Sequence, residues 1–148
     1  MEKIPTHIKN FLKQQKLGFV ATINENNTPN LSPRGTIFAW DADHIIFADI
    51  KSPQTTKNLE KNSVVEVNVI NPITRKGILL SGNAVILKEG EEFSKMLQFF
   101  QQQGIQSKIT AIAKVKVDKV REITSPLYDL GYTETEIKEK WKKYYQSF

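Results

Sequence analysis

A short stretch of the chain, Phe47–Asn62, carries the residue types that bind anions. Pro53 stands where a helix would begin, directly after Ser52, whose hydroxyl suits an N-cap. Backbone amides in the first turn of a helix have no carbonyl partner within it, and the positive end of the helix dipole lies beside them. Lys51 and Lys57 bring two full charges to the same place. The stretch is therefore suited to holding a phosphate group.

The same residues are also typical of ordinary helix capping. Many helices begin with Ser-Pro, carry a lysine nearby and bind no ligand. From this stretch alone, capping and anion binding both stay open, and the rest of the chain must decide between them.

The composition excludes several kinds of site. The chain has 148 residues, the length of one domain, and contains no cysteine. Disulfides, thiolate nucleophiles, iron–sulfur clusters and cysteine zinc sites are thus excluded. His7 and His44 lie in separate segments without partners at metal-binding spacing, so we expect no metal site. No pair of carboxylates and no Ser/His/Asp set has a telling spacing, and no catalytic residue is assigned.

The charge of the chain favours anionic partners. The net charge is +5, from 21 Lys and Arg against 16 Asp and Glu. Phosphate-bearing small molecules and nucleic acids both qualify. The first residues contain no apolar segment of signal-peptide length, and nowhere do about eighteen apolar residues run together. We therefore expect a cytoplasmic protein without a membrane segment.

Most of the elements that would position the anion site are strands. Alternating or β-branched segments predict six of them. They lie at 19–24, 30–40, 45–49, 64–70, 78–87 and 108–120. Pro29 and Pro33 place the second strand at an edge or a bulge, and Gly82 predicts a bulge or sharp bend in the fifth. Lysines on the last strand are most simply a solvated face, so we expect no nucleic-acid contact there.

Helices are predicted around these strands. Apolar stripes indicate helices at 6–15 and 89–103, besides the helix after Ser52. A last helix follows the capping box of Thr133 and Glu136. Its stripe is aromatic, and whether it packs on its own barrel or on a partner subunit stays open. We expect one domain over 1–148, mainly β with flanking helices: a six-stranded antiparallel barrel with a helix after the third strand and an amphipathic C-terminal helix.

Several motifs, taken in order, resemble a known family. They are ATIN, then TPN, SPRGT and FADIKSPQTTKNL, followed by a valine-rich strand and SGNA. Over about Leu17–Leu87 the chain resembles the pyridoxamine 5′-phosphate oxidase-like, FMN-binding split-barrel family. The resemblance implies a homodimer of six-stranded split barrels that binds FMN in clefts at the subunit interface. It favours anion binding over simple capping at the Ser52 helix.

The resemblance also implies which residues hold the cofactor. The flavin phosphate would be held by the segment after the third strand, here Lys51, Ser52, Gln54, Thr55, Lys57 and Asn58. The flavin ring would contact the second strand and the end of the third, here Arg34, Gly35, Thr36, Ile37, Ala48 and Asp49. Arg34 would stabilise negative charge on the reduced ring, with a surface salt bridge as an equal alternative.

The chain departs from the pyridoxamine phosphate oxidases in two places. Those enzymes have an Arg-Lys pair where this chain has Gln54-Thr55, and their C-terminal Arg and Trp segment is not recognisable here. Both departures argue against vitamin B6 synthesis. Deazaflavin-dependent relatives share the same barrel, so the preference between FMN and a deazaflavin stays open.

Three functions are compatible with these residues. The resemblance favours an FMN-dependent oxidoreductase that moves hydride or electrons between a nicotinamide donor and an unidentified small molecule. The first alternative is an FMN carrier without a substrate of its own. The second is an OB-like nucleic-acid-binding barrel, which depends only on net charge and barrel shape.

Overall fold

The structure is a computed structural model that describes residues 4–51 and 53–148. Ser52, predicted as a helix N-cap and a phosphate ligand, lies outside the described residues.

The described residues form one antiparallel sheet with helices around it. The strands are β1 (Gly18–Ile23), β2 (Pro29–Arg34), β3 (Phe38–Ala39), β4 (His44–Asp49), β5 (Val64–Asn71), β6 (Lys76–Leu87) and β7 (Ala111–Thr124). The helices are α1 (Thr6–Gln14), α2 (Pro53–Lys61), α3 (Glu91–Gln102), α4 (Pro126–Asp129) and α5 (Glu134–Gln146). The strand order is β2-β1-β5-β6-β7-β4-β3. This curled, mainly antiparallel sheet with flanking helices agrees with the predicted split barrel.

The sheet has seven strands rather than six because the predicted strand at 30–40 is divided. β2 pairs with β1, whereas β3 pairs with β4 at the opposite edge of the sheet. The chain passes between the two edges within residues 35–37, which is possible because the sheet curls. Pro29 and Pro33 lie on the edge strand β2, where a missing N–H deprives no neighbouring strand of a donor.

β4 is buried on both faces, which explains its continuous apolar sequence. Ile45 and Phe47 belong to the barrel core, together with valines of β5 and β7. Ile46 and Ala48 face a second core formed with α3. Three apolar residues of α3 are buried there. They are Phe93, Met96 and Phe100. Because both faces of β4 are packed, its C-terminal end has a fixed position, and α2 starts from it.

The C-terminal helix α5 packs on its own barrel. Thr133 Oγ1 accepts a hydrogen bond from the Glu136 amide at 3.2 Å, and Glu136 Oε1 accepts one from the Thr133 amide at 3.0 Å, so the predicted capping box is confirmed. Hydrogen bonds from the Thr133 backbone amide and side chain to the Glu136 carboxyl lower the pKa of that carboxyl. Ile137 is buried, while Phe148 stays 86% exposed. The aromatic stripe is therefore covered only in part within the described chain.

The short helix α4 was not predicted. Ser125 caps it by accepting a hydrogen bond from the Leu127 amide at 3.2 Å, and Pro126 occupies its first position. The Ser-Pro pair that predicts the start of α2 is therefore also found at the start of α4. No helix in the described part of the chain has both the length and the apolar character to cross a membrane.

Gly82 lies at a β-bulge in β6, as its sequence position predicts. The register of β6 against β7 changes between Ser81, opposite Lys119, and Gly82, opposite Val117. A Cβ atom on Gly82 would lie 2.0 Å from the backbone oxygen of Lys116. The two backbones therefore approach too closely for any residue with a side chain.

We expect Gly82→Ala to lower the free energy of unfolding by about 1–3 kcal/mol, because the new methyl group must displace backbone. The measurement is urea unfolding followed by circular dichroism. Val85→Ala, an exposed substitution on the same strand, is the control and should stay within about 0.5 kcal/mol of the original chain. Equal midpoints for the two variants would contradict this account of the bulge.

Candidate functional site

The first turns of α2 have one buried and one exposed side. Thr55, Asn58 and Leu59 are buried, whereas Gln54 and Lys57 are exposed. These spacings place the buried residues on one stripe of the helix. The stripe begins with polar side chains and becomes apolar only at Leu59, so the start of α2 must find hydrogen-bond partners in the sheet.

Thr55 finds its partners on the edge strand β2. Its Oγ1 lies 3.2 Å from Ser32 Oγ, and it accepts a hydrogen bond from Asn30 Nδ2 at 3.4 Å. Asn30, Ser32 and Arg34 are alternate residues of β2, so they share the face that meets α2. The start of the helix is thereby held against β2.

Asn58 ties the next turn of α2 to β1. Its Nδ2 donates to Thr22 Oγ1 at 3.0 Å and to Asn24 Oδ1 at 2.9 Å. Its Oδ1 accepts from Gln54 Nε2 at 2.8 Å. Both polar atoms of the side-chain amide are thus hydrogen-bonded, with three bonds in all, and the side chain is fixed in place.

Arg34 is the buried cation of this region, only 6% exposed. Its Nη1 donates to the carbonyl oxygen of Ala48 at 2.8 Å, and its Nε donates to Ser32 Oγ at 3.4 Å. The guanidinium also lies over the ring of Phe47, 5.3 Å from its centre. Burial lowers the pKa of Arg34, and the charge of Asp49 partly offsets this.

One nitrogen of Arg34 has no partner. Among the residues that the structure describes, Nη2 is buried and makes no hydrogen bond. An unsatisfied buried donor on a charged group is costly, so such a group in a folded protein calls for an explanation. A ligand that places an acceptor atom beside Ser32 would supply the missing partner.

Asp49 and Thr36 complete the junction. Thr56 Oγ1 donates a short hydrogen bond to Asp49 Oδ2, which joins the end of β4 to α2. The amide of Ala48 donates to Thr36 Oγ1 at 3.0 Å, which joins β4 to the crossing segment at 35–37. Both side chains are buried. β2, β4 and α2 therefore meet around Arg34, and we call this region the β2–β4–α2 junction.

The structure brings most of the predicted cofactor residues to the β2–β4–α2 junction. Its buried members are Arg34, Thr36, Ala48, Asp49, Thr55 and Asn58. Lys51, Gln54 and Lys57 are exposed beside it. Ile37 belongs to the barrel core, so its side chain faces away from any ligand at the surface. A Cβ atom on Gly35 would lie 3.2 Å from the carbonyl oxygen of Lys16.

Sequence reasoning missed four polar side chains of this site. They are Thr22, Asn24, Asn30 and Ser32. A usable signal was present in β2, where Asn30, Ser32 and Arg34 give a polar residue at every second position. In a strand of this curled sheet, that pattern indicates a polar inner face.

A cleft of about 700 Å³ lies beside the exposed side of α2. Gln54, Lys57 and Lys61 line it from the helix, and Asn24 and Glu25 line it from the β1–β2 turn. Its volume is within the range of small-molecule sites, which is roughly 300–1,000 Å³. Gln54 and Lys57, both predicted as phosphate ligands, thus border open space next to the junction.

A separate group of titratable side chains lies at the β3–β4 turn. His44 Nδ1 is 2.8 Å from Asp41 Oδ1 and 2.7 Å from Asp43 Oδ1. Burial acts to raise the pKa of Asp41, but hydrogen bonds from His44 and Asp43 outweigh it, so the pKa falls below its usual range. The three groups lie close enough together to hold a metal ion, but their mutual hydrogen bonds account for the arrangement.

The amino-acid sequence matches the model of a known protein family. A sequence model described as pyridoxamine 5′-phosphate oxidase matches residues 4–124. No curated protein matches the chain. The matched range contains the entire sheet and the β2–β4–α2 junction and ends before α4 and α5.

Solved structures have the same fold. HupZ of Group A Streptococcus is 24% identical, with a TM-score of 0.74 over 82% of this chain and 95% of its own. An FMN-binding protein from Syntrophomonas wolfei is 16% identical, with a TM-score of 0.68 over 79% of this chain and 84% of its own. An F420 reductase is 17% identical, with a TM-score of 0.62 over 80% of this chain and 98% of its own. At such identities the likeness is one of fold.

We expect Asn58→Ala to lower the free energy of unfolding by about 1–3 kcal/mol, because buried Thr22 and its neighbour Asn24 lose their donor. Urea unfolding measures the change. Gln98→Ala, which shortens an exposed amide on α3, serves as the control and should have an effect below about 0.5 kcal/mol. If Asn58→Ala behaved like the control, the hydrogen-bond network would not be what holds α2 to β1.

Proposed function

The chain belongs to the pyridoxamine 5′-phosphate oxidase family, and from this premise we propose that it binds FMN at the β2–β4–α2 junction. The observation that carries the proposal is the unsatisfied Nη2 of Arg34 beside Ser32 and the start of α2. The residues present fit the cofactor: buried polar groups lie on one side, and exposed Lys51 and Lys57 lie on the other.

The phosphate would lie at the start of α2. Amides of the first helical turn point toward such an anion, and the helix dipole adds to their attraction. Lys51 and Lys57 are exposed near the same end and supply two positive charges. Gln54 borders the adjacent cleft and adds a side-chain donor. This set can offset the double negative charge of a phosphate monoester without the Arg-Lys pair of the pyridoxamine phosphate oxidases.

Thr55 and Asn58, which the sequence resemblance gave as phosphate ligands, would not hold the phosphate through their side chains. Their side chains are buried and hydrogen-bonded to β2 and β1. We assign Thr55 a contact through its backbone amide, and we assign Asn58 the task of positioning α2. A helix start fixed in this way loses little conformational freedom when the phosphate binds, which favours affinity.

FMN, when bound, supplies hydride and electron transfer, and the protein positions it and sets its electrostatic surroundings. Arg34 keeps its positive charge inside the junction because a guanidinium does not deprotonate in proteins. Near the ring of a bound flavin, that charge would favour the reduced, anionic form. Asp49 holds Thr56 and partly balances Arg34.

We propose that the protein is a cytoplasmic oxidoreductase that accepts hydride from a nicotinamide donor and reduces a small molecule. An FMN carrier is the alternative, and the rate of flavin reduction separates the two. Under anaerobic conditions, a reductase should be reduced by NADH or NADPH within seconds, whereas a carrier should remain oxidised. An F420 titration in the same assay tests the deazaflavin alternative suggested by the F420 reductase of the same fold.

We also propose that a second copy of the chain covers the outer face of β1, β2 and β5. Phe19, Leu31 and Val64 are exposed large apolar residues of these adjacent strands, and Leu31 is 67% exposed. The β1–β2 register sets Ala21 opposite Leu31. An apolar sheet face of this kind is typical of a subunit interface. The predicted homodimer would bury it.

For the phosphate placement, we expect the double substitution Lys51→Ala with Lys57→Ala to weaken FMN binding about tenfold or more, because two charged contacts to phosphate are lost. Quenching of FMN fluorescence measures the affinity. Riboflavin has no phosphate, so its affinity should not change between the two proteins.

Lys95→Ala removes an exposed lysine of α3 and is the matched control. Equal weakening of FMN and riboflavin would place the phosphate elsewhere. Absence of saturable binding by either flavin in the original chain would contradict flavin binding itself.

For the dimer, we expect Leu31→Glu to convert a particle of twice the 16.9 kDa chain mass into a monomer, because a charge cannot be buried in an apolar interface without a partner. Size-exclusion chromatography with light scattering measures the mass. Leu130→Glu, at a leucine that is 74% exposed near α4, should leave the mass unchanged. A monomeric original chain would overturn the proposal.

A further inference from the structure

A second pocket is lined mostly by residues that lie after the part of the chain matched by the family model. It has a volume of about 700 Å³ and lies between the turn before β6 and the last turns of α5. Its residues are Arg75, Lys140, Trp141, Lys143, Tyr144 and Tyr145, with Phe148 at its end. We call it the C-terminal pocket. The flavin proposal does not involve these residues.

Arg75 is the fixed cation of the C-terminal pocket. Its backbone has a left-handed conformation, with φ of 57°. Hydrogen bonds hold it on both sides, from its amide to Asn71 O at 2.8 Å and from the Ser125 amide to its own carbonyl at 3.0 Å. Left-handed backbone is uncommon for a residue with a side chain and persists when its surroundings determine it. The arginine is therefore held at the mouth of this pocket by the fold.

The guanidinium of Arg75 stacks on an aromatic ring. Its central carbon lies 3.5 Å from the centre of the Trp141 ring, and its Nη2 donates to the hydroxyl of Tyr145 at 3.4 Å. Lys140 Nζ lies 5.2 Å from the centre of the same Trp141 ring. Such stacking fixes the plane of the guanidinium and leaves its edge available to an acceptor.

Two donors of this pocket lack an acceptor. Within the described residues, Arg75 Nε and Trp141 Nε1 are buried and make no hydrogen bond. Both nitrogens only donate, so a ligand that satisfies them must bring an oxygen or another acceptor. Arg75 and Trp141 thus each have a buried donor without a partner among the described residues, as Arg34 has at the β2–β4–α2 junction.

The charges and rings of the pocket define the ligand further. Arg75, Lys140 and Lys143 are cationic, and no acidic side chain is among the described residues that line the pocket. Tyr144 packs edge to face against Trp141, at 5.4 Å between ring centres, and against Phe148 at 5.1 Å. Tyr144 and Phe148 are both exposed, so ring faces remain open to solvent.

From these observations we propose that the C-terminal pocket binds a planar aromatic anion, that is, an aromatic ring bearing a phosphate or a carboxylate. The ring stacks on the exposed faces of Tyr144 and Phe148, and the anionic group accepts hydrogen bonds from the Arg75 side while the two lysines offset its charge. Neither a neutral ring nor a bare anion uses both halves of the site.

Trp141 provides a direct measurement. The chain has two tryptophans, so Trp40→Phe leaves Trp141 as the sole indole. In that variant we expect AMP or nicotinate to quench tryptophan fluorescence saturably. Adenosine, nicotinamide and ribose 5-phosphate, which each lack the charge or the ring, should bind at least about tenfold more weakly than their complete counterparts. Binding of AMP alone indicates a phosphate site, and binding of nicotinate alone indicates a carboxylate site.

Arg75→Gln should weaken the binding of the responding anion at least about tenfold, since the guanidinium is lost. Arg121→Gln, at an exposed arginine of β7, is the matched control and should have no effect. Calorimetry on the chain with both tryptophans repeats the comparison, in case Trp40→Phe alters the fold.

Three results would overturn the proposal. The first is the absence of saturable quenching and heat with AMP and nicotinate. The second is equal binding of charged and neutral counterparts, or equal behaviour of Arg75→Gln and Arg121→Gln. The third is tryptophan fluorescence that depends on protein concentration and not on the anions, which would make the pocket a contact between copies of the chain.

Discussion

The hydrogen bond from Arg34 to the carbonyl oxygen of Ala48 is the interaction on which the candidate site depends. Arg34 ends one edge strand, and Ala48 lies next to the opposite edge. The bond therefore joins the two sides of the curled sheet at the point where α2 begins. A buried charge requires such partners, since desolvation otherwise opposes folding. Because Nη1 donates to Ala48 and Nη2 has no partner among the described residues, the curled sheet leaves one donor of a fixed cation that the proposed ligand would use.

The second constraint is that α2 starts with polar residues on its buried stripe. An apolar stripe would pack on the sheet in several nearly equivalent ways, whereas hydrogen bonds from Thr55 to β2 and from Asn58 to β1 require one position of the helix. A phosphate site made from helix amides needs that precision, because amide directions are set by the helix axis. The polar network thus costs apolar burial and in return fixes the geometry of the proposed anion site.

The features that the sequence predicted are those that depend on local interactions. The capping box at Thr133, the bulge at Gly82 and the apolar strand β4 depend on neighbouring residues or on a single strand, and all three are found in the structure. The division of the segment at 30–40 depends on how far the sheet curls, which no short pattern contains. Burial of Thr55 and Asn58 depends on Ser32, Thr22 and Asn24, which are far away along the chain. The expectation that Thr55 and Asn58 hold the phosphate therefore did not include their burial against the sheet.

Unpaired donors distinguish the two proposed ligand-binding regions from the other charged surfaces of this chain. On β7, Lys116 and Lys119 are exposed, and half-buried Lys114 pairs with Glu92 at 2.8 Å. Among the described residues, no lysine of this strand therefore has a buried nitrogen without a partner. Arg34, Arg75 and Trp141 are different because each has a buried nitrogen without a partner among the described residues. An exposed lysine forms its hydrogen bonds with water, whereas a buried N–H group cannot reach water. Positive charge alone therefore says little about where an anion binds, whereas positive charge combined with buried, incomplete hydrogen bonding favours the β2–β4–α2 junction and the C-terminal pocket.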